Sequence, residues 1–310
     1  MNNCWIRFKI QYSSGIIDWG FSKLIELEKP APTIPAPFFI MGSGRNGSTL
    51  LSCILNNHPE ICIPVEHSII PTSIKYWYAH PFQNWEQRVN SIQKRLLETN
   101  YWNLNVDEIR SKVDSLESDD RQIQAILDII YRQVAKQNGK SKCIWGDKTP
   151  SNTQFIKLTK AQFPNSKILF LVRDPRDYIA SMLSMKPESK NYLNFLIWRW
   201  MDALSKYDSL CTSHPNDVKL LKYESLVTNT ETEVNGILDW LGLSPCSDML
   251  TGYSRHLNFL HADTAEHHKR IREPISSASI ERWRTVLIES QINLIENRTA
   301  KKMEELGYLR

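Results

Sequence analysis

The 310 residues, with 38 Lys and Arg against 34 Asp and Glu and a formal charge of +4, suffice for one large α/β domain or two smaller ones. So even a balance excludes a nucleic-acid-binding tail, and the small positive excess suits an anionic ligand. Six cysteines, at 4, 53, 62, 143, 211 and 246, form no CxxC pair and no zinc-ligand spacing, which argues against a zinc site or a dense disulfide framework and makes a reducing compartment the default.

Residues 1–35 read as an N-terminal extension. Their stretch GIIDWGFSKLIELEKP contains charges and lacks a long apolar core and a cleavage site, so neither a signal peptide nor a transmembrane anchor is expected, and the location expected is cytoplasmic. The amphipathic pieces there are expected to pack on the domain rather than lie on a membrane surface. KPAPTIPAP (29–37) carries four prolines, reads as an extended lead-in, and opens a domain spanning 36–310.

Apolar, strand-length runs then appear at FFIM (38–41), CIWG (143–146), KILFLV (167–172) and VKLLKY (218–223), each followed by a helical pattern. Strands alternating with helices predict an α/β fold with a parallel sheet covered on both faces, and ligands beyond the carboxyl ends of the strands. Residues 68–140 read instead as a helical insertion rich in aromatics: Tyr76, Trp77, Tyr78, Phe82, Trp85, Tyr101 and Trp102. At helical spacing these are read as core, with an acceptor-pocket role as the alternative. A further aromatic helix is predicted over 192–207, and a C-terminal one with Ser279 as its candidate cap.

The segment FFIMGSGRNGSTLL (38–51) joins a predicted strand to a predicted helix through Gly42 and Gly47, the GxxxxG of a phosphate loop. Backbone N–H groups and the dipole at such a helix start hold a phosphate. A kinase or NTPase would place a lysine after the second glycine; Ser48 stands there. A glycine turn that merely lets strand and helix pack closely would have the same spacing. A second strand-to-helix segment, ILFLVRDPRDYIASML (168–183), supplies Arg173 and, eight residues on, Ser181. Guanidinium plus hydroxyl makes an anion clamp. Asp174, between Arg173 and Arg176, reads as an ion-pair partner rather than a magnesium ligand.

Taken together, GSGRNGSTLL, NNHPEI, GDKTP, LVRDPRDYIASML, KYESLV and a terminal ERW…LGY resemble, in family order over roughly 36–308, the sulfotransferases that use 3′-phosphoadenosine-5′-phosphosulfate (PAPS). The match is closer to the tyrosylprotein sulfotransferase-like and bacterial branches than to the cytosolic small-molecule branch. That resemblance implies a P-loop-like α/β fold with a central parallel sheet and the helical insertion. It also implies PAPS as co-substrate, released as the 3′,5′-bisphosphate PAP, with no metal required. PAPS has no γ-phosphate, which explains the absent lysine.

The resemblance further implies site residues. Glu66 is the general base, with His67 as rival; a carboxylate capping the next helix is the plainer alternative for Glu66. Lys148 and Arg45 stabilise charge on the sulfuryl group. The backbone of Asn46, Gly47, Ser48 and Thr49, with the last two hydroxyls, holds the 5′-phosphate. Arg173 and Ser181 take the 3′-phosphate, Tyr223 lies near the adenine, and Arg282 stands where the tyrosylprotein branch has a lysine. The segment 267–276 matches a loop that closes over the nucleotide. The expected acceptor is a hydroxyl, with an amine as the alternative, on a small molecule, lipid, glycan or peptide. A nucleotide-dependent kinase or NTPase and a non-catalytic protein holding PAP or an anionic glycan are the alternative functions.

Overall fold

The computed structural model describes residues 36–98, 102–185, 190–259 and 271–309. The N-terminal extension, Tyr101 and the first part of the 267–276 segment lie outside the described residues. Five strands, β1 (Phe38–Gly42), β2 (Ile61–Cys62), β3 (Ile144–Asp147), β4 (Lys167–Val172) and β5 (Val218–Lys222), form a parallel sheet in the order β2-β3-β1-β4-β5. The parallel α/β fold expected from the alternating pattern is therefore present. All five residues of β1 and the last five of β4 are buried, as a sheet covered on both faces requires. β2 is not among the apolar, strand-length runs of the sequence, because two residues are too few to leave a pattern.

The described residues divide into two compact units, one within 36–38 and 59–166, the other within 39–58 and 167–309. The first holds the paired β2 and β3, in the register Ile61↔Ile144 and Cys62↔Trp145. It also contains the insertion, which is helical as expected: α2 (Ile69–Ala79), α3 (Trp85–Glu98), α4 (Val106–Asp114) and α5 (Ile123–Gln137), followed by α6 (Ile156–Gln162) after β3. On α5, Ile123, Ile126, Leu127, Ile130, Tyr131 and Val134 are buried, the spacing of one helical face. Trp77, Tyr78 and Trp102 are core, while Phe82 is fully exposed on the turn between α2 and α3. Aromatic rings run in contact from His67 through Trp102, Tyr131 and Trp145 to Phe163, with centroid separations of 4.8, 5.3, 4.2 and 5.7 Å.

In the second unit β1 leads into α1 (Ser48–Leu55) and β4 into α7 (Pro175–Met185). α8 (Lys190–Ser213), α9 (Tyr223–Thr228), α10 (Thr230–Leu241), the short α11 (His256–Phe259) and α12 (Trp283–Val286), and α13 (Glu289–Glu305) complete it. β4 and β5 pair in parallel from Ile168↔Val218 to Val172↔Lys222. Proline at the first position of α7, where no N–H is needed, starts that helix where the sequence indicated.

The C-terminal helix corrects one expectation. Ser279 does not stand at the helix start: its carbonyl accepts from Arg173 Nη2 at 2.5 Å, the cap position is Arg282, and the helix starts only at Trp283 and breaks before Glu289. The carboxylate of Asp177 takes the N–H groups of Glu281 (2.8 Å) and Trp283 (2.9 Å), and Glu281 adopts a φ of 58°. A turn pinned by a distant side chain thus replaces the first helical turn. Among the described residues no helix is long and apolar enough to cross a membrane, and no group of three or more His, Cys, Asp or Glu is arranged to hold a metal ion.

Candidate functional site

In the second unit, the loop after β1 is shaped by its backbone. Gly47 precedes α1 with a φ of 86° at the cap position, and the helix start has no side-chain cap hydrogen bond. A Cβ on Gly47 would come within 2.7 Å of the Tyr223 ring, so glycine is needed for both conformation and contact. Buried Asn46 donates its Nδ2 to the Leu171 carbonyl at 2.8 Å, tying the loop to β4. Arg45, at a φ of 53°, donates Nε to Ser181 Oγ at 3.3 Å.

Arg173, at the end of β4, is 7% exposed. Its Nη1 donates to the Arg45 carbonyl at 3.2 Å and its Nη2 to that of Ser279, and its guanidinium lies 4.4 Å from the centre of the Tyr223 ring. Arg173 Nε is buried without a partner. Arg173, Ser181, Arg45 and Tyr223 are thus brought together around the glycine loop. Arg282 lies at the margin, with Nη2 3.5 Å from Ser184 Oγ, one helical turn beyond Ser181.

Asp174 pairs with Arg176, which reaches it through Nε (3.0 Å) and Nη2 (2.7 Å) and also holds Glu296 at 2.6 Å. This is the ion pair expected from the Arg-Asp-Pro-Arg sequence. Burial raises the pKa of Glu224, which accepts from the Asp174 N–H and from Tyr308. Asp177, whose partners lie more than a hundred residues away, and Glu224 were not singled out from sequence; both hold the frame of this loop.

In the first unit, Lys148 follows β3 and donates its Nζ to Glu66 Oε1. Lys148 is 4% exposed while the Glu66 side chain is 42% exposed, so the pair presents a carboxylate to solvent on a buried ammonium. His67 diverges from Glu66 as an extended backbone implies: it is buried against Trp102, and its N–H and carbonyl both bond Thr149 Oγ1 at 3.1 Å. The helix-cap alternative for Glu66 is not realised, since the cap position of α2 is Ser68, without a side-chain bond.

Asp147, next to Lys148, is the residue here that sequence reading passed over. Fully buried, it accepts from Tyr131 Oη, from Asn152 Nδ2, and from the N–H (2.8 Å) and hydroxyl (3.2 Å) of Thr149. Burial raises its pKa against the lowering effect of those bonds, and the nearby Glu66 charge raises it further. An aspartate directly before the lysine in GDKTP was the available signal.

Residues 37–248 match the model of a family described as "Sulfotransferase family". Protein-tyrosine sulfotransferase 2 of Gallus gallus is 25% identical over 240 residues, 76% of this chain and 56% of its own length. A putative protein-tyrosine sulfotransferase of Caenorhabditis briggsae is 22% identical over 279 residues, covering 87% of this chain and 88% of its own. An uncharacterized protein of Aquifex aeolicus is 22% identical over 262 residues, 30% of its length, so the chain spans only part of some of these relatives. In fold, the chain is similar to the sulfotransferase domain of the Synechococcus PCC 7002 olefin synthase (TM-score 0.57, 22% identity, 87% of this chain and 98% of that one). It is also similar to the sulfotransferase domain of the curacin biosynthetic pathway (TM-score 0.54, 20% identity, 86% and 98%).

Proposed function

This chain belongs to the sulfotransferase family, and we propose that it transfers the sulfuryl group of PAPS to a hydroxyl-bearing acceptor. The observation that carries the reading is the Glu66–Lys148 pair, a half-exposed carboxylate on a buried ammonium. Displacement at sulfur needs a base for the acceptor proton and a cation for the charge passing to the leaving group. One bound pair contains both.

The residues around the glycine loop fit a nucleotide carrying two separated anions. The start of α1 has no side-chain cap, and Arg173 has a buried Nε without a partner. PAPS supplies the activated sulfuryl group. Asn46, Gly47, Ser48 and Thr49 hold its 5′-phosphate through backbone N–H groups and the two hydroxyls, and Arg45 adds positive charge at the sulfuryl group. Arg173 and Ser181, with Arg282 at the margin, take the 3′-phosphate, and Tyr223 bounds the adenine. Glu66 accepts the acceptor's proton as the acceptor oxygen bonds to sulfur. Lys148 steadies the bridging oxygen, which leaves with PAP as its bond to sulfur breaks. A positioned base contributes roughly 10²–10⁴ in rate, and one preorganised charge on the order of 3 kcal/mol.

Turnover with radiolabelled PAPS against a panel of phenols, alcohols and glycans, beside PAP affinity, tests the proposal. Glu66→Gln and Lys148→Ala are expected to keep PAP binding and lose transfer; full transfer by both variants sinks the assignment. Stabilisation by Mg-ATP rather than PAP would overturn the choice of nucleotide.

A further inference from the structure

The second unit carries a cation beside the phosphate loop that none of these roles uses. Arg199, in the middle of α8, is half-buried and makes no hydrogen bond or ion pair with the described residues. Its Nη2 stands 3.6 Å from the position a Cβ would occupy on Gly44, whose φ is +87°. The guanidinium therefore lies against the loop at a residue with no side chain to fend it off, and the next residue, Arg45, turns its own guanidinium onto Ser181.

A second observation lies one turn before Ser181 on α7. Tyr178 is fully buried, and its hydroxyl has no hydrogen-bond partner. Burial pushes this hydroxyl's pKa up to about 12, while the charge of Arg199 pulls it down, so the two groups lie within electrostatic reach of each other. A half-buried guanidinium has lost water without gaining a carboxylate, and a buried hydroxyl left unsatisfied costs further free energy. A phosphate or sulfate offers several acceptor oxygens to a guanidinium fork and a hydroxyl together.

We propose that Arg199 is a second guanidinium on the anion bound by the Gly42–Thr49 loop, with the Tyr178 hydroxyl donating to the same anion. It rests on the sulfotransferase reading for the identity of that anion, the 5′-phosphosulfate end of PAPS. The loop then grips its ligand from two helices, α1 through backbone N–H groups and α8 through a side chain.

Calorimetric titration of the wild type, Arg199→Gln, Arg199→Lys and Tyr178→Phe with PAP, AMP and inorganic pyrophosphate tests it, alongside the melting temperature of each unliganded protein. Arg199→Gln is expected to weaken PAP and AMP alike by about 10–100-fold, the worth of one charge-assisted contact, because both carry the 5′-phosphate. Arg199→Lys recovers part of that loss. Tyr178→Phe weakens binding about threefold or more without lowering the melting temperature, because it removes an unsatisfied hydroxyl. PAP binding by Arg199→Gln within twofold of wild type overturns the proposal and leaves the sulfotransferase reading intact. A binding loss matched by a melting-temperature drop that Arg199→Lys does not repair also overturns it, making Arg199 a structural residue. If the wild type binds AMP and pyrophosphate but gains nothing from the 3′-phosphate, the PAPS reading falls and Arg199 is judged on those two ligands. If it binds none of the three, both fall.

Discussion

The glycine loop of the second unit and the Lys148 corner of the first are held in place by different means. Around the loop most determinants are backbone: a left-handed Gly47, a helix start without a side-chain cap, and carbonyls of Arg45 and Ser279 that orient Arg173, with the Asn46 side chain tying the loop to β4. Around Lys148 they are side chains: a buried Asp147 gathers Tyr131, Thr149 and Asn152, and Glu66 takes the ammonium. A backbone-built site fails through sterics and conformation, whereas a side-chain network fails through unsatisfied polar groups. The two respond to different substitutions.

The largest expected effect separates chemistry from binding. Glu66→Gln should lower turnover roughly 10²–10⁴-fold while PAP affinity stays within a few-fold; equal losses in both would make Glu66 a binding residue rather than the base. Next, Gly47→Ala should cost about 2–4 kcal/mol in stability or PAP binding, from an unfavourable φ and a 2.7 Å approach to Tyr223. Relief by Tyr223→Leu in the double mutant, read by calorimetry, would sharpen the steric account.

In the other region, Asp147→Ala should destabilise by about 2–3 kcal/mol by leaving buried donors without an acceptor. Denaturant unfolding measures it, and a variant as stable as wild type would break the contrast drawn here. Back at the glycine loop, Asn46→Ala should cost about 1–2 kcal/mol in the same unfolding measurement, because the Leu171 carbonyl loses its donor.

The smallest effect is in the insertion. Lys136, Lys112 and Gln133 hold the Glu108 pKa down to about 2, from an ordinary value of 4.5. A lowered carboxylate pKa adds stability that is present above the ordinary value and lost as pH falls towards 2. Acid titration of the melting temperature should show that loss in the wild type, and a shallower one in Glu108→Gln.

Much of the fold was legible locally. KILFLV has the bounds of β4, and the helix after Pro175 begins where its proline allows. Where expectation failed, a distant group intervened: the helix anticipated after Ser279 yields to Asp177 and Arg173, more than a hundred residues earlier in the chain. Arg45, Arg173, Ser181 and Tyr223 were legible as a set because each stands in or beside the strand-to-helix segments that the motifs mark. Arg199 was not, because an arginine within an aromatic helix carries no local sign of what it faces.

What the sequence by itself determined is what depends on neighbours along the chain: buried parallel strands from apolar runs, the strand-to-helix loop from its glycines, and the residue types able to hold anions or move a proton. Only the tertiary structure decided which carboxylates are buried, that Glu66 rather than His67 takes Lys148, and that Asp147 anchors that corner. Those outcomes depend on groups 16 to 82 residues apart in sequence meeting in a water-poor interior. There an unmet charge or hydroxyl costs more than any local propensity can offset.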